Sequence, residues 1–539
     1  MRLVIVSVVV FVLLGIILIP YAGLEADEVL FAAPFFMPAV QEFCLRVFHY
    51  EIPLMIMSYI GTLKTALYWP IFSLFGFNVF SVRLPMVFVG AATILVLYLL
   101  TVQWVGKRAA LIAALLLATD PIFLLTDTFD WGPVALQHFL VVTGCWLLAR
   151  KRPASGTFLF GLALWNKTIF LWMLAGLVVA AVFVYLPEIR TVLKDRRTCI
   201  RVGLAFLVGA MPFLIYNVIQ PNTTLSSNAH LSTENLSTKF FNLRFALAGN
   251  GLNGFIVHWD SAVQAKRPVS VPGRVAFFIR EHSFGPHYTT LFPYAILLSF
   301  ALIPLWWRSP GRRAALFALV SAAVAFLAMV VSRGAGASIH HTVLLWPMPH
   351  LFVGTALAAI RVPWLSLGAG AVLIISNLLV VNQYVVQFER NGAKERFTDA
   401  VNSLSKTLSD ATGDSVYIID WGIKEPVTFL EKGKSQGRSF NYIPVSATLD
   451  DAQRRAISSV LANPLALFVA HVRSEEILPH MGEQFESILQ AECYEKTDLR
   501  LVRDSNDRPI FELFRIQRQS SDSSCEIKPP SAATQSPSR

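Results

Sequence analysis

Charge is what this 539-residue chain has least of. Asp, Glu, Lys and Arg make up 15% of it against 55% hydrophobic residues, and its mean hydropathy is +0.55. That balance excludes an ordinary water-soluble globular protein. Cysteine is scarce as well: five residues at scattered positions, in no metal-ligand spacing. This argues against a zinc framework and a disulfide-dense secreted module. Cys493 and Cys525 could pair if the C-terminal segment lies outside the cytoplasm. No glycine-rich phosphate-cradling loop occurs, so no nucleotide site is evident.

Long uncharged runs are what the chain has instead. The clearest are 3–20, 84–103, 109–119, 133–149, 168–187, 202–219, 288–307, 314–332, 342–360 and 362–382. Most approach or exceed the roughly 20 residues that cross about 30 Å of hydrocarbon. The chain reads as an all-α polytopic membrane protein. Its net charge of +10 fits membrane orientation better than nucleic acid. Lys107-Arg108, ARKR at 149–152, the cluster Arg190, Lys194, Arg196, Arg197 and Arg201, then Arg308, Arg312 and Arg313, and finally Arg361 all fall in short loops. If those loops face the cytoplasm, every turn obeys the positive-inside rule. The first run is as long as a full span and lacks a small-x-small cleavage site, so it is read as a retained helix.

Residues 153–187 decide the parity of the topology. They are uncharged except for Lys167, in GLALWNKTIF. One helix over that length would reach about 52 Å, too long for a single crossing. Two short helices meeting at Trp165-Asn166-Lys167 fit better, and they bring the count to about eleven spans, N-terminus inside and C-terminus outside.

The expected domains are a membrane domain over 1–384, an external soluble α/β domain over 385–518 and a disordered Ser-, Pro- and Gln-rich tail over 519–539. The external loops are 21–83, 120–132, 220–287 and 332–341. Loop 21–83 contains YIGTLKTALYWPIFSLFGF, whose apolar positions and Pro70 suit helices lying along the membrane interface. In the soluble part, SVYIID and LALFVAHV read as buried strands. LRLVRDSNDRPIFELFRI reads as a hairpin turning at Asp504–Asp507.

Every candidate polar group falls on the external side. Asp27 and Glu28 follow the first span in GLEADEVLFAAP, while Glu25 reads as an ordinary solvated acid. Lys64 and Arg83 flank the interfacial segment. Asp120, Asp127 and Asp130 lie in TDPIFLLTDTFDWGP, Lys167 tips the short hairpin, and Arg333, His340 and His341 form the last turn. A carboxylate can deprotonate an acceptor hydroxyl, and Lys or Arg can neutralise a departing phosphate. Each group also has an ordinary reading: acids that end a span in water, an anchoring Arg83, a turn at Lys167, a helix-end pair at His340-His341, an aromatic belt of Trp and Phe. Their order along the chain carries the argument.

That order resembles the GT-C superfamily of membrane glycosyltransferases, and within it glycosyltransferase family 39, the protein mannosyltransferase and lipid A aminoarabinose transferase group. Asp27-Glu28 matches the family's external Asp-Glu after the first span. LKTALYWPIFSLFGFNVFSVRLP, with Lys64, Gly76 and Arg83, matches its Lys-containing segment and its Arg-Leu-Pro entry into the next span. TDPIFLLTDTFDWGPVAL resembles the second acidic loop, and GLALWNKTIF the Gly-rich turn ending in Lys. The resemblance covers about residues 1–190, with SIHHTVLLWPMPHLFVG similar to later spans. The family's Lys-Pro-Pro is Lys64-Thr65-Ala66 here.

The resemblance implies a GT-C-like fold and transfer of a mannose-like or aminoarabinose-like sugar, with inversion, from a polyprenyl-phosphate donor to a lipid, glycan or protein acceptor at the external membrane face. Asp27, Glu28 and Asp130 would be catalytic, and Lys64, Arg83, Lys167 and Arg333 would bind the donor phosphate. Asp127, His340 and His341 are open to substrate or a divalent metal, although no cofactor is required. The implied location is a bacterial inner membrane. A transporter or flippase of lipid-linked sugars is the alternative, disfavoured because the spans are almost free of charge. A scaffold working through residues 385–539 is a third reading.

Overall fold

In the computed structural model the described residues are 2–221, 223–228, 230–259, 268–334, 336–410, 415–431, 439–443 and 450–519. The expected disordered tail beyond Gln519, with Cys525, lies outside them, as does part of the 220–287 loop. The chain divides into two compact units, Met1–Lys394 and Glu395–Arg539.

In the first unit every uncharged run folds as helix. Among its helices are α1 (Arg2–Leu18), the single turn α2 (Ala26–Val29), α3 (Leu63–Phe75), α4 (Val79–Trp104), α5 (Lys107–Thr119), α6 (Pro121–Thr128), α7 (Val134–Ala149), α8 (Pro153–Asn166), α9 (Phe170–Lys194), α10 (Arg196–Ile219), α11 (Leu236–Leu247), α12 (Phe292–Ala301), α13 (Arg312–Val330), α14 (Met348–Ala358) and α15 (Pro363–Asn391). The first span, Leu3–Tyr21, together with α4, α9, α10, α13 and α15, is long and apolar enough to cross a membrane. The bent pair α5–α6 makes a seventh if it is one span. The expected eleven crossings are therefore not confirmed among the described residues: α7, α12 and α14 are apolar but shorter. Run length in the sequence counted flanking turns that do not extend the helix.

The 58° bend between α5 and α6 has a local cause. Asp120 is extended, Pro121 occupies the first position of α6, and Asp120 Oδ1 accepts the Phe123 N–H at 2.8 Å. A proline at N1 behind an aspartate cap restarts a helix at a new angle.

The loop after α1 departs from expectation. Helix α3 is present, with Tyr68 and Phe72 buried and Trp69, Leu74 and Phe75 exposed. Upstream of it residues 43–61, for which no element was expected before Tyr59, form a three-stranded antiparallel sheet: β1 (Phe43–Val47), β2 (Tyr50–Met57) and β3 (Ile60–Gly61), in the order β1-β2-β3. The hairpin turn is Phe48-His49, with Phe48 at φ +55°. The usual Asn-Gly or Asp-Gly signal of a two-residue turn is missing there.

This sheet is fastened to the break between α8 and α9. Lys167 leaves α8 in an extended conformation and its backbone bridges Ile60. Thr168 N donates to Tyr59 O at 2.9 Å, and Trp165 Nε1 donates to Leu54 O at 2.9 Å. The expected helical hairpin over 153–187 thus exists, and its break is held by a sheet edge. Behind it, buried Lys239 of α11 donates to Val330 O at 2.8 Å and Ser332 O at 2.7 Å. This lysine caps the carbonyl end of α13.

The second unit is α/β. Its strands β4 (Ser415–Ile418), β5 (Ser439–Tyr442), β6 (Leu467–His471), β7 (Tyr494–Arg503) and β8 (Pro509–Arg518) form one sheet in the order β5-β4-β6-β8-β7. Strand β4 runs parallel to β5 and β6, and β8 is antiparallel to β6 and β7. Helices α16 (Ala400–Asp410), α17 (Lys424–Glu431), α18 (Asp451–Leu461) and α19 (Met481–Ala491) accompany it. Both expected strands and the turn at Asp504–Asp507 are present, the latter closed by Asp504 N to Arg508 O at 3.0 Å. Asp420, just after β4, accepts from Ile477 N and Leu478 N and lies 2.7 Å from His471 Nδ1. Burial alone would raise the Asp420 carboxyl; the bond and charge of His471 and those N–H groups hold it below its usual range. Helix α15 stays helical to Asn391, past the expected boundary at 384.

A Cβ on Gly61 would fall 2.1 Å from Trp165 O. Gly61→Ala must push the sheet off the α8–α9 break, and overpacking of this kind costs about 1–3 kcal/mol. Thermal unfolding in detergent should show a clear fall in Tm, while Gly76→Ala, where no atom lies within 4 Å of the added carbon, loses only what its positive φ demands.

Candidate active site

The site begins with the turn after α1. Glu25 caps α2: its Oε2 accepts the Glu28 N–H at 3.0 Å, and Glu28 Oε2 accepts the Glu25 N–H at 3.3 Å. The expectation of a solvated Glu25 is corrected, since both residues are fully buried. A capping box with a glutamate at each end needs a cation, and Arg83 of α4 supplies it. Arg83 Nε donates to Glu28 Oε1 at 2.7 Å and Nη2 to Glu28 Oε2 at 2.8 Å. Nη1 donates to Ile19 O and Ala22 O at 2.6 and 2.7 Å, and Nη2 to Gly23 O at 2.7 Å. All five guanidinium N–H groups are thus engaged, over the ring of Phe129 at 4.7 Å. Neither Arg83 nor Glu28 lines the cleft described next.

Between Glu25 and Glu28 in sequence, Asp27 is only partly buried and does line a small cleft. Tyr59, Lys64, Trp131, Lys167 and His340 share the wall, with Leu30, Phe31, Ile56 and Ile60 among its apolar residues. Lys64 sits in the first turn of α3, 4.3 Å from the Phe31 ring centroid. Its Nζ donates to Asp130 Oδ2 at 2.7 Å, and both side chains are buried. Asp130 Oδ1 accepts the Val134 and Ala135 N–H groups at 2.8 and 3.0 Å. Those are among the unpaired amides at the start of α7, where negative charge is favoured.

Lys167 faces the same space. Gly132, at φ +73°, would carry a Cβ only 3.2 Å from Lys167 Nζ, so the glycine serves both the turn and the approach of the ammonium. Burial pushes the Lys167 amine down to about 8; Asp130 and then Asp27 oppose the shift, and Lys64 adds to it. Burial, then the charge of Asp27, raises the Tyr59 phenol, so it stays a protonated donor. His341 is pushed down to about 3, by burial first and by Lys167 second, and is neutral.

Five of the ten residues chosen from the sequence therefore meet in or on one cleft: Asp27, Lys64, Lys167 and His340 as lining, and Asp130 through Lys64. Glu28 and Arg83 hold the turn beside it, and His341 lies within reach of the Lys167 charge. Two do not converge. Asp127, on α6, is buried with its Oδ1 3.4 Å from His138 Nδ1 and does not line the cleft. Arg333 is exposed and away from it. Among the described residues no three His, Cys, Asp or Glu side chains are placed to hold a metal ion. Tyr59 and Trp131 were missed. Sequence alone places Trp131 in an aromatic belt; in the structure its buried indole donates to His340 Nδ1 at 3.0 Å. Its place directly after Asp130 was the available signal.

Arg83→Ala would leave the Glu28 carboxylate buried without its cation. Breaking a buried pair from one side costs roughly 3–5 kcal/mol, so the variant should unfold at much lower temperature than wild type. Arg83→Lys, which cannot make the bidentate pair, should recover only part of the loss in the same melt.

Residues 63–216 match the family model described as dolichyl-phosphate-mannose-protein mannosyltransferase. No curated protein matches the chain. Among solved structures, ArnT from Cupriavidus metallidurans in the apo state superposes with a TM-score of 0.54 at 13% identity, covering 95% of this chain and 97% of ArnT. The same ArnT bound to undecaprenyl phosphate gives 0.52 at 12% identity over 95% and 97%. The arabinofuranosyltransferase AftD from Mycobacteria gives 0.47 at 13% identity, covering 95% of this chain and 41% of AftD. The chain therefore shares its fold with ArnT, and its residues 63–216 match the mannosyltransferase family model.

Proposed function

We propose that this protein transfers a sugar, mannose-like or aminoarabinose-like, from a polyprenyl-phosphate donor to a lipid, glycan or protein acceptor at the external face of a bacterial inner membrane. The N-terminus lies in the cytoplasm and the second unit outside it. One observation carries the reading: a single cleft presents a partly exposed carboxylate, Asp27, together with two buried lysines, Lys64 and Lys167, in a fold shared with a protein solved bound to undecaprenyl phosphate.

The chemistry follows from those groups. The acceptor oxygen attacks the anomeric carbon while Asp27 takes its proton. The bond from that carbon to the phosphate oxygen breaks, and the electron pair leaves with the polyprenyl phosphate. Lys167, and Lys64 drawn from Asp130, neutralise the charge that develops there. Asp130 keeps Lys64 in place before the donor arrives. Glu28 and Arg83 act on Asp27 by holding its turn, a positioning role in place of the direct ones implied by the resemblance. Apolar walls of Leu30, Phe31 and Ile60 suit a donor whose phosphate continues into a lipid chain.

Two experiments test this. Purified protein given a radiolabelled polyprenyl-phosphate sugar should form product, and Asp27→Asn should lower turnover by roughly 10²–10⁴-fold, the usual weight of a general base, with the melting curve unchanged. Full activity in that variant would overturn the assignment of Asp27. The Lys167 amine loses its proton as pH rises through about 8, so the cationic form that attracts phosphate prevails below that pH. Affinity for undecaprenyl phosphate should therefore weaken across that range on the alkaline side, and Lys167→Arg, which stays charged, should flatten the profile.

A further inference from the structure

The last turn before α14 carries a piece of hydrogen-bond logic that fixes the chemistry of one cleft residue. His340 lies in the one-turn helix Ile339–Thr342 and lines the cleft with Asp27, Lys64 and Lys167. Its Nδ1 is 3.0 Å from Trp131 Nε1 and 2.7 Å from Ser338 Oγ. An indole nitrogen can only donate. Nδ1 must therefore be the bare, accepting nitrogen, and the single proton of the neutral ring must sit on Nε2. The Ser338 hydroxyl can share the same lone pair as a second donor. A ring proton at Nδ1 would set N–H against N–H, which excludes both the other neutral tautomer and the imidazolium while the indole bond stands.

A metal ligand has the opposite requirement. Binding through Nε2 demands a proton on Nδ1, usually given to a carbonyl or carboxylate. Trp131 cannot take that proton. We propose that His340 is a dedicated Nε2–H donor, held in that tautomer by Trp131, and that it hydrogen-bonds an oxygen of the phosphate-linked sugar in the cleft instead of ligating a metal. The identity of the bound oxygen rests on the donor-site reading above; the tautomer does not. Trp131 is then a positioning residue. It follows Asp130 directly, so one loop both holds Lys64 through Asp130 and sets the proton on His340.

The test uses the full chain in nanodiscs, labelled with [15N]histidine, with His340→Gln identifying the His340 signals in solid-state NMR spectra. His340 should give one protonated Nε2 and one unprotonated Nδ1 resonance, unmoved by added zinc chloride. Trp131→Phe should mix the two neutral tautomers. A protonated Nδ1 in wild type, or a zinc-dependent shift of the His340 signals, would overturn the proposal. In turnover, His340→Ala should lose about tenfold in kcat/KM, the effect of one hydrogen bond. His340→Gln, which keeps an N–H where Nε2 stood, should retain most activity. An undiminished His340→Ala would also overturn the donor role. If wild type makes no product from any polyprenyl-phosphate sugar while the tautomer is as stated, the functional reading fails separately.

Discussion

Arg83 is the interaction on which the rest of the site depends. A guanidinium fully removed from water is tolerable only when its N–H groups are satisfied. Here the acceptors are two oxygens of Glu28 and three carbonyls from Ile19, Ala22 and Gly23. Those carbonyls belong to the chain as it leaves the first span, so the charge on α4 dictates the path of the turn. The capping box of Glu25 and Glu28 completes that path, and Asp27 is left as the acid of the three that meets the cleft. The same economy appears on the opposite wall, where one oxygen of Asp130 ends α7 and the other holds Lys64.

What could be read from the sequence follows from the range of the forces involved. Uncharged runs identify helices because apolar length is a local property, and the helical break at Lys167 is equally local. The sheet over residues 43–61 was invisible because its turn uses Phe48 and its register is set by distant partners, Leu54 to Trp165 and Ile60 to Lys167. In the second unit β4, β6 and the β7–β8 hairpin were legible, being short apolar strands bounded by turn residues.

Within the site, residue types were legible and residue roles were not. Asp27 and Glu28 are adjacent acids, and only packing shows that one is spent on Arg83. Asp127 and Asp130 are three apart in one loop by sequence. Helix α6 carries the first among α4 and α7, where it meets His138, and the chain passes the end of α6 before reaching the second. The count of eleven spans is not confirmed for a similar reason: turns shorten α12 and α14 within their uncharged runs, at a scale that hydropathy averages over.

The Lys64–Asp130 pair has a consequence for how the reaction would end. In the resting site Lys64 is already neutralised, so an arriving lipid phosphate exchanges one anion for another on the same ammonium. The net Coulomb gain of binding is therefore smaller than the bare lysine would provide. In that reaction Asp130, kept in register by the two amides of α7, would take Lys64 back from the carrier once the sugar had left. On the proposed reaction, an intramolecular anion that competes with product would keep a multi-charged, membrane-tethered phosphate from becoming its own inhibitor.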